Sequence, residues 1–129
     1  MFPAPALPFA TTPRKVLIVD DNIDAAALLA ELCEMVGHEV KTAYDGPGAL
    51  RALEGFTPDV AVLDIGLPMM DGYELARRVR ELLGDRCRLV ALTGYGQEHD
   101  RVRSEQAGFE AHLVKPVDPS RVLALVDGT

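Results

Sequence analysis

The sequence predicts an α/β domain in which a five-stranded parallel sheet is covered by helices on both faces. Short apolar stretches alternate five times with stretches of helical periodicity, which is the pattern of consecutive βα units. Three of the five short stretches are continuous apolar runs, as expected for strands that are buried on both faces of a parallel sheet. Because crossovers between parallel strands are right-handed, such a chain forms a doubly wound sheet.

The five predicted strands are short and end in turn-forming or polar residues. They cover residues 15–19, 38–43, 60–63, 89–92 and 111–114. The third is the clearest, because its β-favouring run stops at Asp64 and is followed by Gly66 and Pro68. Taken alone, Asp64 is either the start of a turn or a chemical group at the mouth of a buried strand.

A helix is predicted after each strand. The predicted helices cover residues 23–36, 47–55 with Pro47 at the first position, 73–83, 97–107, and the stretch after Asp118 and Pro119. The core-facing residues expected in the first helix are Ala26, Leu29, Leu32, Cys33 and Val36. Those expected in the third are Leu75, Ala76, Val79, Leu82 and Leu83. The fourth has one large apolar residue, Val102, and is therefore expected to be held loosely.

The composition is typical of a globular protein that does not bind nucleic acid. The chain has 129 residues, 48% of them hydrophobic, which is enough for one domain with its own core. Its net charge of -7 disfavours nucleic acid as a partner. No apolar run is long enough to span a bilayer, so no membrane contact is expected. Cys33 and Cys87 form no paired motif and are expected to pack in the core, which favours a cytoplasmic location.

Residues 1–13 are expected to form a flexible lead-in or linker before the domain, which then covers residues 14–129. Prolines recur at positions 3, 5, 8 and 13, as in partly polyproline-II segments. The stretch has no basic start and no continuous apolar run, so it does not look like a signal peptide.

Conspicuous polar residues follow four of the predicted strands. They are Asp20 and Asp21 after the first strand, Asp64 after the third, Thr93 after the fourth and Lys115 after the fifth. Because parallel strands end at the same edge of a sheet, these residues are expected to converge on one rim. This convergence makes a mere turn-forming role of Asp64 the weaker interpretation.

Three neighbouring carboxylates call for a positive partner. Two unit charges ~4 Å apart interact by about 4 kcal/mol at an effective dielectric near 20, so such a cluster raises its pKa values or binds a cation. Oxygen ligands with room for water favour Mg²⁺ over Ca²⁺, because the spaced ligands of an EF-hand are missing. With Lys115 as a fixed positive charge and Thr93 as a hydroxyl donor, the rim suits phosphoryl transfer to Asp64.

Four separate stretches, in order, resemble the receiver domain of two-component response regulators. They are Val-Asp-Asp at 19–21, Leu-Asp-Ile-Gly-Leu-Pro-Met-Met-Asp-Gly at 63–72, Ala-Leu-Thr-Gly at 91–94 and Leu-Val-Lys-Pro-Val at 113–117. The resemblance covers residues 15 to about 126. It implies a flavodoxin-like sheet in the order 2-1-3-4-5 and a cis peptide bond between Lys115 and Pro116.

The resemblance also implies a role for each residue of the rim. Asp64 would take a phosphoryl group from a phosphohistidine, and Thr93 and Lys115 would contact the phosphoryl oxygens. The implied Mg²⁺ ligands are Asp21, Asp64, the main-chain carbonyl of Gly66 and, largely through water, Asp20. Such a domain catalyses only its own phosphorylation and dephosphorylation, so it is not expected to be an enzyme in the classical sense.

One residue departs from the family pattern. His112 stands three residues before Lys115, where the family usually carries Tyr or Phe. The switch linked to Thr93 is then either performed by an imidazole or absent, in which case His112 is a strand residue that partly faces solvent. Gly66 leaves space for an attacking water, whereas Tyr95 would shield the site, so the lifetime of the phosphoryl group is not predicted.

The stretches at 92–97 and 107–117 resemble those of receivers that are attached to hybrid histidine kinases. Receivers that stand alone can share these features. The expected partner is a histidine kinase or a histidine phosphotransfer protein, in the same chain if the domain belongs to a hybrid kinase. Because the sequence ends soon after its last predicted helix, output is expected through protein contacts or onward phosphotransfer.

Three other functions differ in how well these residues support them. A flavin-binding flavodoxin is disfavoured because Asp20 and Asp21 would repel the flavin phosphate. A phosphatase of the haloacid dehalogenase type needs a second Asp two residues after the nucleophile, where this chain has Gly66. The alternative that stays open is a scaffold or protein-interaction module that works without phosphorylation.

Overall fold

The sheet has five parallel strands in the order β2-β1-β3-β4-β5, which confirms the predicted fold class and strand order. The structure is a computed structural model, and it describes residues 12–94 and 101–128. The strands are β1 (Lys15–Val19), β2 (Glu39–Ala43), β3 (Val60–Asp64), β4 (Arg88–Thr93) and β5 (Phe109–Val114). The helices are α1 (Ile23–Met35), α2 (Gly46–Ala52), α3 (Gly72–Leu83), α4 (Arg101–Ala107) and α5 (Pro119–Asp127), with a 3₁₀ turn at Gly84–Arg86.

The core lies in two layers, one on each face of the sheet. On one face, the strands pack against α1 and α5. The main residues of this layer are Val16, Ile18, Val60, Val62, Val90, Leu92, Leu29, Cys33, Val122 and Val126. On the other face, the strands pack against α2, α3 and the end of α4 through Leu17, Val19, Ala61, Leu63, Leu89, Ala49, Leu75, Val79 and Ala107. Burial on both faces explains why the strand sequences are continuous apolar runs.

Among the residues that the structure describes, four helices begin at an Asn or Asp whose side chain caps the first turn. The caps are Asn22 for α1, Asp45 for α2, Asp71 for α3 and Asp118 for α5. In each, a side-chain oxygen accepts a hydrogen bond from a main-chain N–H two or three residues further on. Since every one of these helices follows a strand or the loop after it, their N-terminal ends lie at the edge of the sheet that carries the carboxyl ends of the strands.

Some element boundaries differ from the prediction. β5 begins at Phe109, two residues earlier than predicted, and β2 begins at Glu39 rather than at His38. Pro47 is the second residue of α2, because Asp45 caps the helix and Gly46 opens it. The predicted cis peptide bond between Lys115 and Pro116 is present.

Leu82 does not face the core, contrary to the prediction. It is 60% exposed, whereas Ala76 and Val79 are fully buried. The buried stripe of α3 runs through these two residues to the partly buried Leu83, so Leu82 lies at the margin of the stripe in the last turn. The single large apolar residue of α4, Val102, is also turned outward, with 63% of its surface exposed.

Two predicted features fall outside the described residues. They are the greater part of the lead-in, since residues 1–11 are not described, and Tyr95 with the start of the helix predicted at 97–107. Within residues 12–94 and 101–128, no helix is long and apolar enough to cross a membrane.

Candidate functional site

Three carboxylates meet at the carboxyl edge of the sheet, as the sequence predicts. Asp20 directly follows β1, Asp64 is the last residue of β3, and Asp21 begins the loop into α1. Each side chain offers one oxygen, and these oxygens all lie within 4.8 Å of one another. β1 and β3 are neighbours in the sheet, which is why residues that are more than forty positions apart in the sequence come together here.

Lys115 provides the positive charge of this cluster. Its Nζ lies 2.7 Å from Asp20 Oδ2 and 3.0 Å from Asp64 Oδ2. Burial of the ammonium opposes its charged form, but the hydrogen bonds to Asp20 and Asp64 outweigh burial and raise the pKa of Lys115 above its ordinary value. The lysine therefore stays charged and compensates part of the carboxylate repulsion.

The buried carboxylates are held by the main chain as well as by Lys115. Asn22 N–H donates to Asp20 Oδ1 at 3.0 Å, and Gly66 N–H donates to Asp64 Oδ1 at 2.9 Å. The side chain of Asp20 is 1% exposed and that of Asp64 is 8% exposed, whereas Asp21 is exposed. Asp64 thus has one oxygen fixed by the loop and the other facing Lys115, with access from solvent.

The loop after Asp64 is packed tightly against its own start. Gly72 N–H donates to Ile65 O at 2.9 Å, which closes the loop. A Cβ atom at Gly72 would lie 2.4 Å from Asp64 O and 2.6 Å from Ile65 Cα, so only glycine fits there. Met69, at the tip, has a positive φ of 69°.

Thr93 and His112 lie on β4 and β5, the two strands that follow β3 in the sheet. Thr93 is buried at the end of β4, and its carbonyl accepts a hydrogen bond from Lys115 N–H at 2.7 Å. The imidazole of His112 is half-buried, and its Nε2 lies 2.7 Å from Ser104 Oγ in α4. The ring also meets Phe109 edge to face, at 5.7 Å between centroids. His112 therefore contacts α4, and its role as a switch stays a prediction.

The donor set fits a hard divalent cation. Asp20, Asp21 and Asp64 offer carboxylate oxygens only, and the exposure of Asp21 leaves room for water. Magnesium is the ion that this combination of oxygen ligands and open coordination favours.

The chain matches a known protein family over most of its length. The family model of the response regulator receiver domain matches residues 16–127. The chain belongs to the response regulator receiver domain family. It is therefore a receiver domain of two-component signal transduction, a signalling module, as the resemblance implied.

Several proteins are similar to this receiver. An uncharacterised 14.6 kDa protein in the sodA1 3′ region of Leptolyngbya boryana is 42% identical over 112 residues, 86% of each chain. The transcriptional regulatory protein PrrA of Mycobacterium tuberculosis is 38% identical over a stretch that covers 90% of this chain and 49% of PrrA. A CheY-like receiver domain protein from Methanospirillum hungatei JF-1 has a TM-score of 0.81 and 30% identity, covering 89% of this chain and 91% of that one. This receiver spans about half the length of the transcriptional regulators it matches.

Contacts between α4 and its neighbours were not predicted from the sequence. Ser104 was not recognised as a partner of His112, and Arg103 was not recognised as a partner of Asp71, to which its Nη2 lies 3.0 Å away. A polar residue in a weakly amphipathic helix looks like a solvent-exposed one, and only the packing of α4 beside β5 and α3 reveals these pairs.

Proposed function

We propose that this receiver accepts a phosphoryl group on Asp64 from a phosphohistidine, in a Mg²⁺-dependent reaction in the cytoplasm. The donor is a histidine kinase or a histidine phosphotransfer protein. The observation that carries the proposal is the environment of the Asp64 carboxylate, which lies 3.0 Å from Lys115 Nζ and beside two further carboxylates. A carboxylate nucleophile with a fixed cation next to it is suited to phosphoryl transfer.

The chain's own groups have defined tasks in this transfer. A carboxylate oxygen of Asp64 attacks phosphorus while the P–N bond to the donor imidazole breaks and its electron pair returns to the nitrogen. The N–H of Gly66 orients the carboxylate by holding Oδ1. Lys115 is placed to balance the negative charge on the phosphoryl oxygens, and the Thr93 hydroxyl is the proposed neutral donor to them.

The metal ligands are proposed as Asp21, Asp64, the carbonyl of Gly66 and, largely through water, Asp20. Bound there, Mg²⁺ would offset the charge that accumulates as a phosphoryl group approaches three carboxylates. The support for this assignment is the set of oxygens within 4.8 Å of one another at the site.

An apolar cavity next to the site suits contact with the phosphodonor protein. It has a volume of about 190 Å³ and shares Asp20 and Lys115 with the acidic cluster. Its apolar wall includes Ala25, Leu28, Leu29, Pro116, Val117 and Pro119. Leu28 is 56% exposed, so a partner that reaches Asp64 from this side would cover apolar surface.

Output is proposed to pass through α4. His112 links β5, the strand that leads to Lys115, with Ser104 of α4. A change in Thr93 or Lys115 on phosphorylation would then alter the surface that α4 and β5 present to a partner.

The test is direct chemical phosphorylation. The protein is incubated with Mg²⁺ and acetyl phosphate or phosphoramidate, and its intact mass is measured beside Asp64→Asn and Asp24→Asn. Asp24 is an exposed carboxylate of α1 and serves as the matched control. One phosphoryl adduct is expected on the wild type and on Asp24→Asn, and none on Asp64→Asn.

Either of two results would overturn the proposal. An adduct that persists in Asp64→Asn would place the phosphoryl group elsewhere. A wild type that takes no phosphoryl group from either donor, with its fold intact by circular dichroism, would favour the phosphorylation-independent scaffold instead.

A further inference from the structure

α4 is fixed to the domain by polar contacts more than by apolar ones. Among its described side chains, only Ser104 and Ala107 are buried, whereas Val102 is 63% exposed. An element with so little buried apolar surface depends on the few specific contacts that it makes. One of these contacts reaches Asp71, near the end of the loop that follows Asp64.

That contact is made by Arg103. Its Nη2 lies 3.0 Å from Asp71 Oδ2 and 3.3 Å from Asp71 Oδ1. Its Cζ lies 4.4 Å from the centroid of the Tyr73 ring, a cation–π distance. Tyr73 is buried and meets Phe109 of β5 edge to face. The guanidinium is therefore held by a charge and by a flat ring at the same time.

Asp71 is mechanically tied to Asp64. It caps α3 by accepting the N–H of Glu74 at 2.9 Å, so its side chain is fixed at the start of the helix. The next residue, Gly72, packs against the main chain of Asp64 and Ile65 with no space for even one added carbon. A displacement of the main chain at Asp64 would therefore move Asp71 as well, because the packing between them leaves no free space.

Of the two carboxylates at the start of α3, Arg103 pairs with Asp71. Glu74 is the other carboxylate in this first turn of α3, but it already binds Arg77 at 2.6 Å and Arg78 at 2.9 Å. These hydrogen bonds lower the pKa of Glu74 to about 2, which keeps it charged and occupied. Asp71 is left to receive Arg103 from α4.

We propose that Arg103 is a positioning residue that holds α4 in place through Asp71 and Tyr73, and that this placement of α4 is favoured when Asp64 carries no phosphoryl group. This inference rests on the proposed phosphorylation of Asp64, and it adds a link from Asp64 to α4 through Asp71, besides the one proposed through Thr93 and His112. Because binding energies are coupled reciprocally, a contact that favours the unphosphorylated arrangement also weakens binding of a phosphoryl analogue at Asp64.

Loss of the contact therefore has two expected effects. Arg103→Met removes the charge while keeping an apolar stem, and it should speed amide exchange at residues 102–107. It should also lower the beryllofluoride concentration needed for a half-maximal response in the presence of Mg²⁺. Since the Arg103 and Asp71 side chains are 48% and 40% exposed, we expect changes of about two- to fivefold.

The matched control is Arg77→Met. Arg77 is 56% exposed, and its ion pairs with Glu74 and Glu81 lie within α3. It should leave both measurements unchanged. Arg103→Lys keeps the charge but loses the flat contact with Tyr73, so it should give intermediate values. Asp71→Asn can still cap α3, and in that background Arg103→Met should have a smaller effect.

The outcomes separate this inference from the proposed function. If Arg103→Met matches Arg77→Met in amide exchange, or if its beryllofluoride midpoint equals that of the wild type, the positioning role is wrong even though Asp64 takes a phosphoryl group. If no phosphoryl adduct forms on Asp64, the proposed function fails, while exchange in the unliganded protein still shows whether Arg103 holds α4. Faster exchange with a lower midpoint and a non-additive double variant supports the inference.

Discussion

At the scale of single residues, the loop after Asp64 contains one residue, Met69, whose backbone conformation is unfavourable for a residue with a side chain. Met69 has a φ of 69°, a left-handed conformation that costs a residue with a side chain about 1–2 kcal/mol. Its side chain is 80% exposed and so gains little from burial. The cost is borne next to the candidate site, where strained backbone is commonly found.

Met69→Asn should therefore stabilise the protein, because Asn tolerates the left-handed conformation. We expect the free energy of unfolding to rise by about 0.5–1 kcal/mol, as measured by urea denaturation. Met35→Asn is the control, since Met35 is 60% exposed in regular helix and Asn is the poorer helix former there. Equal changes in the two variants would show that the backbone at Met69 is not strained.

Gly72 offers a second test at this scale. Gly72→Ala would press a methyl group against Asp64 O and Ile65 Cα, both main-chain atoms that cannot move aside. We expect a loss of about 1–3 kcal/mol in the free energy of unfolding and slower phosphorylation by acetyl phosphate. Gly55→Ala has open space and no positive φ, so it should be neutral or slightly stabilising. A neutral Gly72→Ala would contradict the tight packing of the loop.

At the scale of elements, α5 and α4 are attached in different ways. α5 buries Val122, Leu123 and Val126 in the core. Its last carbonyls accept hydrogen bonds from two arginines at the amino ends of β4 and β1. Arg88 donates to Leu125 O and Val126 O, and Arg14 donates to Asp127 O. Cations at a helix C-terminus complement its dipole, so α5 is held at its C-terminal end as well as by its apolar face, whereas α4 buries little apolar surface.

Arg88→Met should loosen α5. It removes hydrogen bonds to two helix carbonyls and an ion pair with Glu110 at 2.8 Å. We expect a loss of about 1–2 kcal/mol in the free energy of unfolding, with faster amide exchange in residues 122–127. Arg121→Met, on the exposed side of the same helix, should change neither. Unchanged exchange in α5 would show that its apolar face alone anchors it.

At the scale of the whole molecule, the acidic site opposes folding unless a cation is present. The net charge of the chain is -7, and three of its carboxylates are crowded at one edge with one lysine between two of them. Folding therefore brings like charges together, and an ion that binds only the folded site stabilises it.

Mg²⁺ should raise the melting temperature by several degrees, followed by circular dichroism. At ~100 times the dissociation constant, the gain is about 2.7 kcal/mol. For Asp21→Asn, we expect Mg²⁺ to reverse which of the two proteins, variant or wild type, is the more stable. Without Mg²⁺ it relieves repulsion and is slightly the more stable, whereas with Mg²⁺ it gains less than the wild type. Asp24→Asn should respond to Mg²⁺ as the wild type does, and an equal response of Asp21→Asn would exclude Asp21 as a ligand.

The two thiols report on the integrity of both core layers. Cys33 lies in the layer with α1 and Cys87 in the layer with α3. Burial raises the pKa of each thiol from 9.0 to about 11. The unfolded chain thus ionises first, so stability should fall as the pH rises from about 9 to about 11. In a urea titration, iodoacetamide should label both thiols over one transition, as judged by intact mass. Separate transitions would mean that the two layers unfold independently.

Much of the fold could be predicted because strands and helix starts are encoded by residues that are close in sequence. β3 is apolar up to Leu63 and fully buried, and Asp71 and Asp118 cap helices where the pattern changes. Leu82 was misplaced because a helix can bury more than one stripe of its surface, and neighbouring elements decide which one. Val102 faces solvent for the same reason.

The rim of Asp20, Asp21, Asp64, Thr93 and Lys115 was accessible from the sequence because parallel strands all end at one edge. Contacts such as His112 with Ser104 and Arg103 with Asp71 depend instead on where α4 lies and how far it is rotated about its axis. A helix with a weak apolar stripe carries little information about that rotation. The sequence by itself therefore determines which residues form the site, because each follows a strand that can be recognised locally. The contacts between the site and α4 are decided only by the packing of the helices.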